Sequence, residues 1–178
     1  MHSFPFSTRA AIALGHVTGL IAALFLLSSA VAAPTKPLVK PADELVLIGG
    51  MNNIRHHDDQ PFGAVQLRSA RDVCGLHPYL NAGVAGHGSH YAGVGMSHTF
   101  DLPRTIKISV GTGPGWYRHE ANDPDLGYAI EFSSWIEFSA EVMGRRIGLS
   151  VAHLSNAHLG RSNPGTEAIG LNIHWRRW

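Results

Sequence analysis

Between residues 128 and 142 apolar and polar side chains take turns. Tyr128, Ile130, Phe132, Ser134, Ile136, Phe138, Ala140 and Val142 fall on one face, and Glu131, Ser133, Trp135, Glu137, Ser139 and Glu141 on the other. A period of two is that of a β-strand, whose successive side chains point to opposite sides. Three glutamates at alternate positions exclude a dry packed core on their side, which predicts a strand that is greasy outside and polar inside. A second strand is predicted over Arg104 to Gly111, where Ile106, Ile108 and Val110 oppose Lys107 and Ser109. Less regular strands are expected over 44–53, 62–70, 76–85 and 88–100, and a β-hairpin from Gly144 to the C-terminus. In that hairpin Ile147, Leu149, Val151, His153 and Ser155 share one face, joined by Glu167, Ile169, Leu171, Ile173 and Trp175 of the second arm. The sum is eight strands of about 10 residues, the length that crosses a bilayer at a tilt. The expected fold is therefore all-β: an eight-stranded antiparallel up-and-down transmembrane β-barrel.

The connections alternate in length. Asp101–Arg104 and Met143–Arg145 read as tight turns, whereas 54–61, 112–127 and 156–165 are longer and rich in Asn, Asp, Gly or Pro. Bacterial barrels keep short turns in the periplasm and long loops outside, so Ser155 and Glu167, which flank the last long loop, are expected near the outer leaflet. Trp116 and Tyr117 are expected at the external rim, and Trp175 and Trp178 at the periplasmic one, as aromatic girdles. A soluble sandwich or lipocalin-like barrel would need its apolar face inward. The glutamate-bearing face of 128–142 weighs against it.

Residues 1–33 read as a secretory signal peptide: Arg9 supplies the positive start, and the apolar run Ile21 to Val31 ends in Ala30, Ala32 and Ala33. Cleavage is expected after Ala32 or Ala33. The run is too short, and too interrupted by Ser28 and Ser29, for a spanning helix of roughly 20 residues. Residues 34–43 form an aperiodic N-terminal tail, and 44–178 the barrel with its reactive C-terminal hairpin. Cys74 is the only cysteine, so no intrachain disulfide can staple the fold. The formal net charge of +1 argues against a nucleic-acid protein, which needs a strong basic field.

A histidine, a serine and a glutamate on an otherwise hydrocarbon-compatible face require a reason, because polar groups turned toward lipid are costly. His153 and Ser155 lie two residues apart on one face of a strand, within reach of a leaning imidazole. Pairing Glu167 opposite Ser155 would place His153 opposite Ile169, with carboxylate and imidazole as diagonal neighbours. The trio has the parts of an esterase: Ser155 as nucleophile, His153 as general base and then acid, and Glu167 to fix the tautomer. Asn156, next to the nucleophile, could donate its amide to the oxyanion.

The segment His153-Leu154-Ser155-Asn156-Ala157, followed by Asn163-Pro164-Gly165 and by Glu167 fourteen residues after the histidine, resembles the signature of the lipid A 3-O-deacylase (PagL) family. The strong likeness runs from about Phe132 to Trp178; upstream only strand rhythm and length agree. The resemblance implies an eight-stranded outer-membrane enzyme of a Gram-negative bacterium that removes the acyl chain at position 3 of lipid A. It implies the triad His153, Ser155 and Glu167, an oxyanion role for Asn156, and neither metal nor cofactor. The implied partners are lipopolysaccharide and outer-membrane lipids, and a homodimer is left open. Leu154 stands where the family often has an aromatic, a lipid-facing or rim position.

Other features carry less. His56, His57, Asp58 and Asp59 could hold a divalent metal but read better as a hydrated loop tip, with no second ligand set at diagnostic spacing. Arg118 and Arg161 could pair with lipid phosphates, although solvated loop charges explain them as well. Gly111, Gly113 and Gly115 make no dinucleotide site, since no helix follows them. Two other readings remain open: a non-catalytic small barrel in which the trio is incidental, and a phospholipase of similar architecture.

Overall fold

The computed structural model describes residues 43–54, 59–103, 105–120 and 123–176. The expected signal peptide, the tail up to residue 42, three of the four residues of the His56–Asp59 cluster, and Trp178 lie outside these. Eight strands follow one another: β1 (Glu44–Asn52), β2 (Gln60–Arg68), β3 (His77–Ala85), β4 (His90–Asp101), β5 (Ile106–Arg118), β6 (Ile130–Val142), β7 (Arg145–Ser155) and β8 (Thr166–Arg176). Each pairs antiparallel with the next, and β1 pairs with β8, which closes the sheet. Closure leaves no unpaired edge, the condition for a sheet to sit in hydrocarbon.

The alternation has the polarity that the sequence pattern predicts. Glu131 and Glu137 are fully buried in the lumen, while Leu80, Phe138 and Leu149 on the outer face are 54, 55 and 61% exposed. Apolar outside and polar inside is the arrangement of a transmembrane barrel. Toward the end that carries the short turns, the lumen is filled by a polar network centred on Glu137. Its Oε2 accepts hydrogen bonds from Arg68 Nη2 at 2.6 Å and Asn172 Nδ2 at 2.7 Å, and its Oε1 lies 2.8 Å from His174 Nε2. His174 Nδ1 is 3.3 Å from Glu44 Oε2, and Arg146 Nη1 donates to Glu44 Oε1 at 2.9 Å. The network thereby ties β1, β2, β6, β7 and β8 together across the lumen.

Aromatic rings complete the filling. Trp135 takes the Arg68 guanidinium over its ring, 4.5 Å from the centroid, and meets Tyr79 edge to face at 5.7 Å. Trp135 also explains the glycine that ends the expected strand, because a Cβ on Gly111 would lie 2.4 Å from its indole. The segment after Gly111 is accordingly strand, and β5 continues to Arg118, where a loop over 112–127 was expected. Gly111 and Gly115 face the lumen and make room for the Trp135 and Tyr91 rings, and Gly113 lies against the β4 backbone at Val94 and Gly95, a pattern that weakens any reading of local propensity.

The turn between β6 and β7 needs only Met143 and Gly144, with φ of 51° and 76°, the two left-handed residues of a tight hairpin. Trp175 lies near that end with the Arg145 guanidinium over its ring at 5.5 Å. At the opposite rim Trp116 is exposed and tilts against His90. Tyr117 differs from expectation: it has the inward parity of β5, and its hydroxyl donates to Pro124 O at 2.8 Å.

Replacing Glu137 by leucine leaves Arg68 and His174 buried without their shared carboxylate, a loss of about 3–5 kcal/mol. The expected outcome is a lower midpoint of denaturant unfolding in detergent micelles. A shift smaller than about 1 kcal/mol would show that the network does not govern stability.

Candidate active site

β7 and β8 pair so that His153 stands directly opposite Glu167, with Val151 opposite Ile169 and Leu149 opposite Leu171. The pairing of Glu167 with Ser155 expected from parity is therefore out by two residues. The shift keeps every side chain on its expected face and brings the carboxylate nearer: His153 Nδ1 lies 3.2 Å from Glu167 Oε1. Ser155 is the last residue of β7 and pairs with Phe132 of β6. All three share the outward parity of Leu149 and Val151, with the His153 side chain about half exposed and that of Glu167 mostly covered. The imidazole thus has its Nδ1 edge on a carboxylate and its other nitrogen available for a second partner, the geometry of a base held in one tautomer.

The loop 156–165 returns the chain from β7 to β8, and Asn156 organises it. Asn156 is fully buried. Both hydrogens of its amide are donated, to Leu126 O at 2.7 Å and to Ser162 O at 2.7 Å, and its Oδ1 accepts from the His158 N–H at 2.9 Å. Its backbone N–H donates to Asn163 Oδ1 at 3.0 Å. The side chain expected at the oxyanion has both amide hydrogens engaged here and pins its own loop to the β5–β6 loop. Leu126, buried completely, is the anchor on the other side. A buried amide satisfied on all sides is a rigid strut, whereas one lacking its partners is expensive. Leu154, expected to be lipid-facing or at the rim, lies next to the end of β7, and its even position turns it to the lumen rather than to lipid.

Gly165 is a site residue that the sequence shows only as part of a motif. Its φ is +66°, and a Cβ built on it would lie 2.9 Å from His153 Cε1. The backbone of the returning loop therefore runs against the imidazole edge next to Nε2, at a point where only glycine fits without moving the ring. Arg118 and Arg161, the candidate phosphate partners, are both exposed, and Arg118 Nε is 3.5 Å from Glu120 Oε1. Among the described residues no group of three or more His, Cys, Asp or Glu is placed to hold a metal ion.

Two outcomes follow from this geometry. Gly165→Ala displaces the imidazole and is expected to reduce turnover of an activated ester by about 10²-fold, the order that a 1 Å misplacement costs, while the barrel still folds. Unchanged turnover would mean that the ring position is not set by this contact. Asn156→Ala strands two carbonyls and one N–H at about 1–3 kcal/mol each, so limited proteolysis should cut within 156–165 faster than in wild type. Equal cleavage rates would remove the strut.

Comparison with known proteins agrees with the barrel fold. A family profile described as lipid A 3-O-deacylase (PagL) matches residues 75–176, more than half of the chain. Among curated proteins none matches. Among solved structures, the crystal structure of the outer membrane enzyme PagL superposes with a TM-score of 0.57 at 20% identity, covering 76% of this chain and 100% of that one. A transmembrane β-barrel designed de novo superposes with a TM-score of 0.54 at 12% identity, over 78% of this chain and 98% of the other. At these identities the superpositions establish the barrel fold, and the profile establishes the family. With its closed eight-stranded barrel and its outward His153–Glu167 pair in the matched segment, the chain belongs to the lipid A 3-O-deacylase (PagL) family.

Proposed function

We propose that this protein is an outer-membrane serine esterase that hydrolyses the 3-O-linked acyl chain of lipid A, with Ser155 as nucleophile, His153 as base and Glu167 as its orienting carboxylate. The observation that carries the reading is the 3.2 Å contact between His153 and Glu167 on a face otherwise given to hydrocarbon, two residues from a serine on the same face. A merely structural ion pair has no reason to sit there, since polar groups on a lipid face cost about 1 kcal/mol near an interface and more at depth.

In this reading the ester arrives laterally within the outer leaflet, and its fatty chain never crosses water. Ser155 Oγ attacks the ester carbonyl while His153 takes the hydroxyl proton through Nε2. The tetrahedral intermediate collapses, and the imidazolium returns that proton to the departing sugar oxygen. Water, activated by the same imidazole, then attacks the acyl-serine; the acyl–oxygen bond breaks, Ser155 regains its proton, and a free fatty acid leaves. Glu167 stays ionised throughout and stabilises the imidazolium in both half-reactions. Every step uses side chains of β7 and β8 alone.

Mass spectrometry of lipid A from cells expressing wild type or Ser155→Ala tests the proposal. Wild type should yield the species lacking the 3-O-linked chain, and the variant should lower its formation by about 10⁴-fold or more, at equal barrel content of the membrane. Identical spectra from both would remove the deacylase reading. Faster release of fatty acid from phospholipid than from lipid A by the purified protein would replace it with a phospholipase.

A further inference from the structure

The lumen is filled unevenly around its circumference. Along β4 and β5 the inward positions are glycines backed by rings: a Cβ on Gly93 or Gly115 would overlap the Tyr91 ring, one on Gly95 the Tyr79 ring, and one on Gly111 the Trp135 indole. The aromatic side chains therefore lie against that wall. On the opposite wall the inward residues are small or apolar. Phe62 and Ala64 of β2, Ala152 and Leu154 of β7 and Ala168 of β8 keep partial exposure although their parity turns them inward. Together they border a cavity of about 140 Å³.

The cavity ends on the Arg68 guanidinium and the Trp135 indole, beyond which the Glu137 network occupies the lumen toward the short turns. At the long-loop end it is bordered by Ser89 of the β3–β4 loop and Pro124 of the β5–β6 loop. Those two loops are joined. The Ser89 N–H donates to Asp123 Oδ2 at 2.9 Å, and the Ser89 hydroxyl oxygen accepts from the Glu120 N–H at 2.8 Å. A ligand would enter from the long-loop end and stop at the indole.

An eight-stranded barrel is wide enough either to be filled by its own side chains or to hold one small ligand. Alanines at Ala64, Ala152 and Ala168 leave the first option unfilled. An apolar cavity of about 150 Å³ accommodates a molecule of benzene size. This one also carries polar atoms without partners on its border: Asn52 Oδ1, Asn81 Oδ1 and Thr166 Oγ1 are buried and make no hydrogen bond among the described residues. Leaving such groups unbonded is costly. Water would serve these oxygens but not the alanine, leucine and phenylalanine surface, whereas a molecule with a small apolar body and one hydroxyl serves both. A charged ligand fits less well. Arg68, the one Lys, Arg, Asp or Glu on the described border, is already paired with Glu137 at 2.6 Å, so an ion would enter without a counter-charge.

We propose that the long-loop half of the lumen is a binding site for a small uncharged amphiphile of about phenol size, with an apolar ring or short chain and a single hydroxyl. The site lies inside the barrel, is separate from the outward trio, and does not depend on the esterase reading.

The test uses the full-length folded protein in detergent micelles, with 4-fluorophenol as the probe and its fluorine NMR signal as the readout. Wild type should give a component of the signal that saturates at one probe per barrel and is displaced by excess phenol, which partition into micelles alone does not do. Fluorobenzene should compete about 5- to 10-fold less well, after correction for its partition into empty micelles, the order that one neutral hydrogen bond supplies. The double variant A64L/A168L puts two larger side chains into the cavity. The saturable component should then vanish while the barrel keeps the heat-modifiable gel migration of a closed sheet. If that variant does not close, A168V is read in its place, with a loss of affinity of about 5-fold or more expected from overpacking. A wild-type signal with no saturable component, undiminished binding in the filled variant, or equal competition by fluorobenzene overturns the proposal.

Discussion

The structure depends on one constraint: the charges that the sequence places on alternate positions must be enclosed, and they can be enclosed only by satisfying one another. Glu137 is the point where this is achieved. It is fully buried, yet its two oxygens face Arg68, Asn172 and His174, contributed by strands that are far apart in sequence and meet across the lumen only after closure. Bringing an isolated carboxylate into such a space would be prohibitive, and an arginine likewise. Pairing them across the lumen makes the closed ring the state in which neither is stranded. Closure in turn gives every strand a partner on both sides and frees the outer face to be apolar. The network is weak evidence for raw stability, but it is a strong selector of which face turns inward.

Once the faces are assigned, the site follows from register. The two-residue turn at Met143 and Gly144 fixes β7 against β6, and the matched apolar rows Leu149–Leu171 and Val151–Ile169 fix β8 against β7. His153 then meets Glu167 without any adjustment by a flexible loop. The ten-residue connection that follows is held by Asn156 rather than left to wander, and it delivers Gly165 against the imidazole edge. Rigid strands position two members of the trio, and a braced loop shapes the space beside them. That division matches the general demand that reacting groups be fixed within a fraction of an ångström while their surroundings admit a substrate.

Much of this was legible in the sequence, because period-two alternation is a direct projection of strand geometry. The outward set around His153 and the inward set around Glu137 both came from counting odd and even positions. The limit of that counting is equally physical. Parity is unchanged by a slip of two residues, so it could not distinguish Glu167 opposite Ser155 from Glu167 opposite His153. The continuation of β5 past Gly111 was hidden for another reason: Gly113 and Gly115 lie against the β4 backbone and the Tyr91 ring, contacts that no local pattern records. The bracing by Asn156 was not legible, since its partners, Leu126 O and Ser162 O, lie in loops whose approach is a tertiary fact.

An outward site also changes the physics of substrate capture. An enzyme in water must extract a lipid from its bilayer, and that cost grows by about 0.8 kcal/mol for each methylene exposed. In the proposed reading the surface around His153 and Ser155 is itself the solvent-matched neighbour of the acyl chains, so the chain exchanges one hydrocarbon contact for another. Binding energy can then come from the few polar atoms near the ester instead of from apolar area. Discrimination must lie in the same atoms, because a lipid-facing wall of Val, Ile and Leu treats all fatty chains nearly alike.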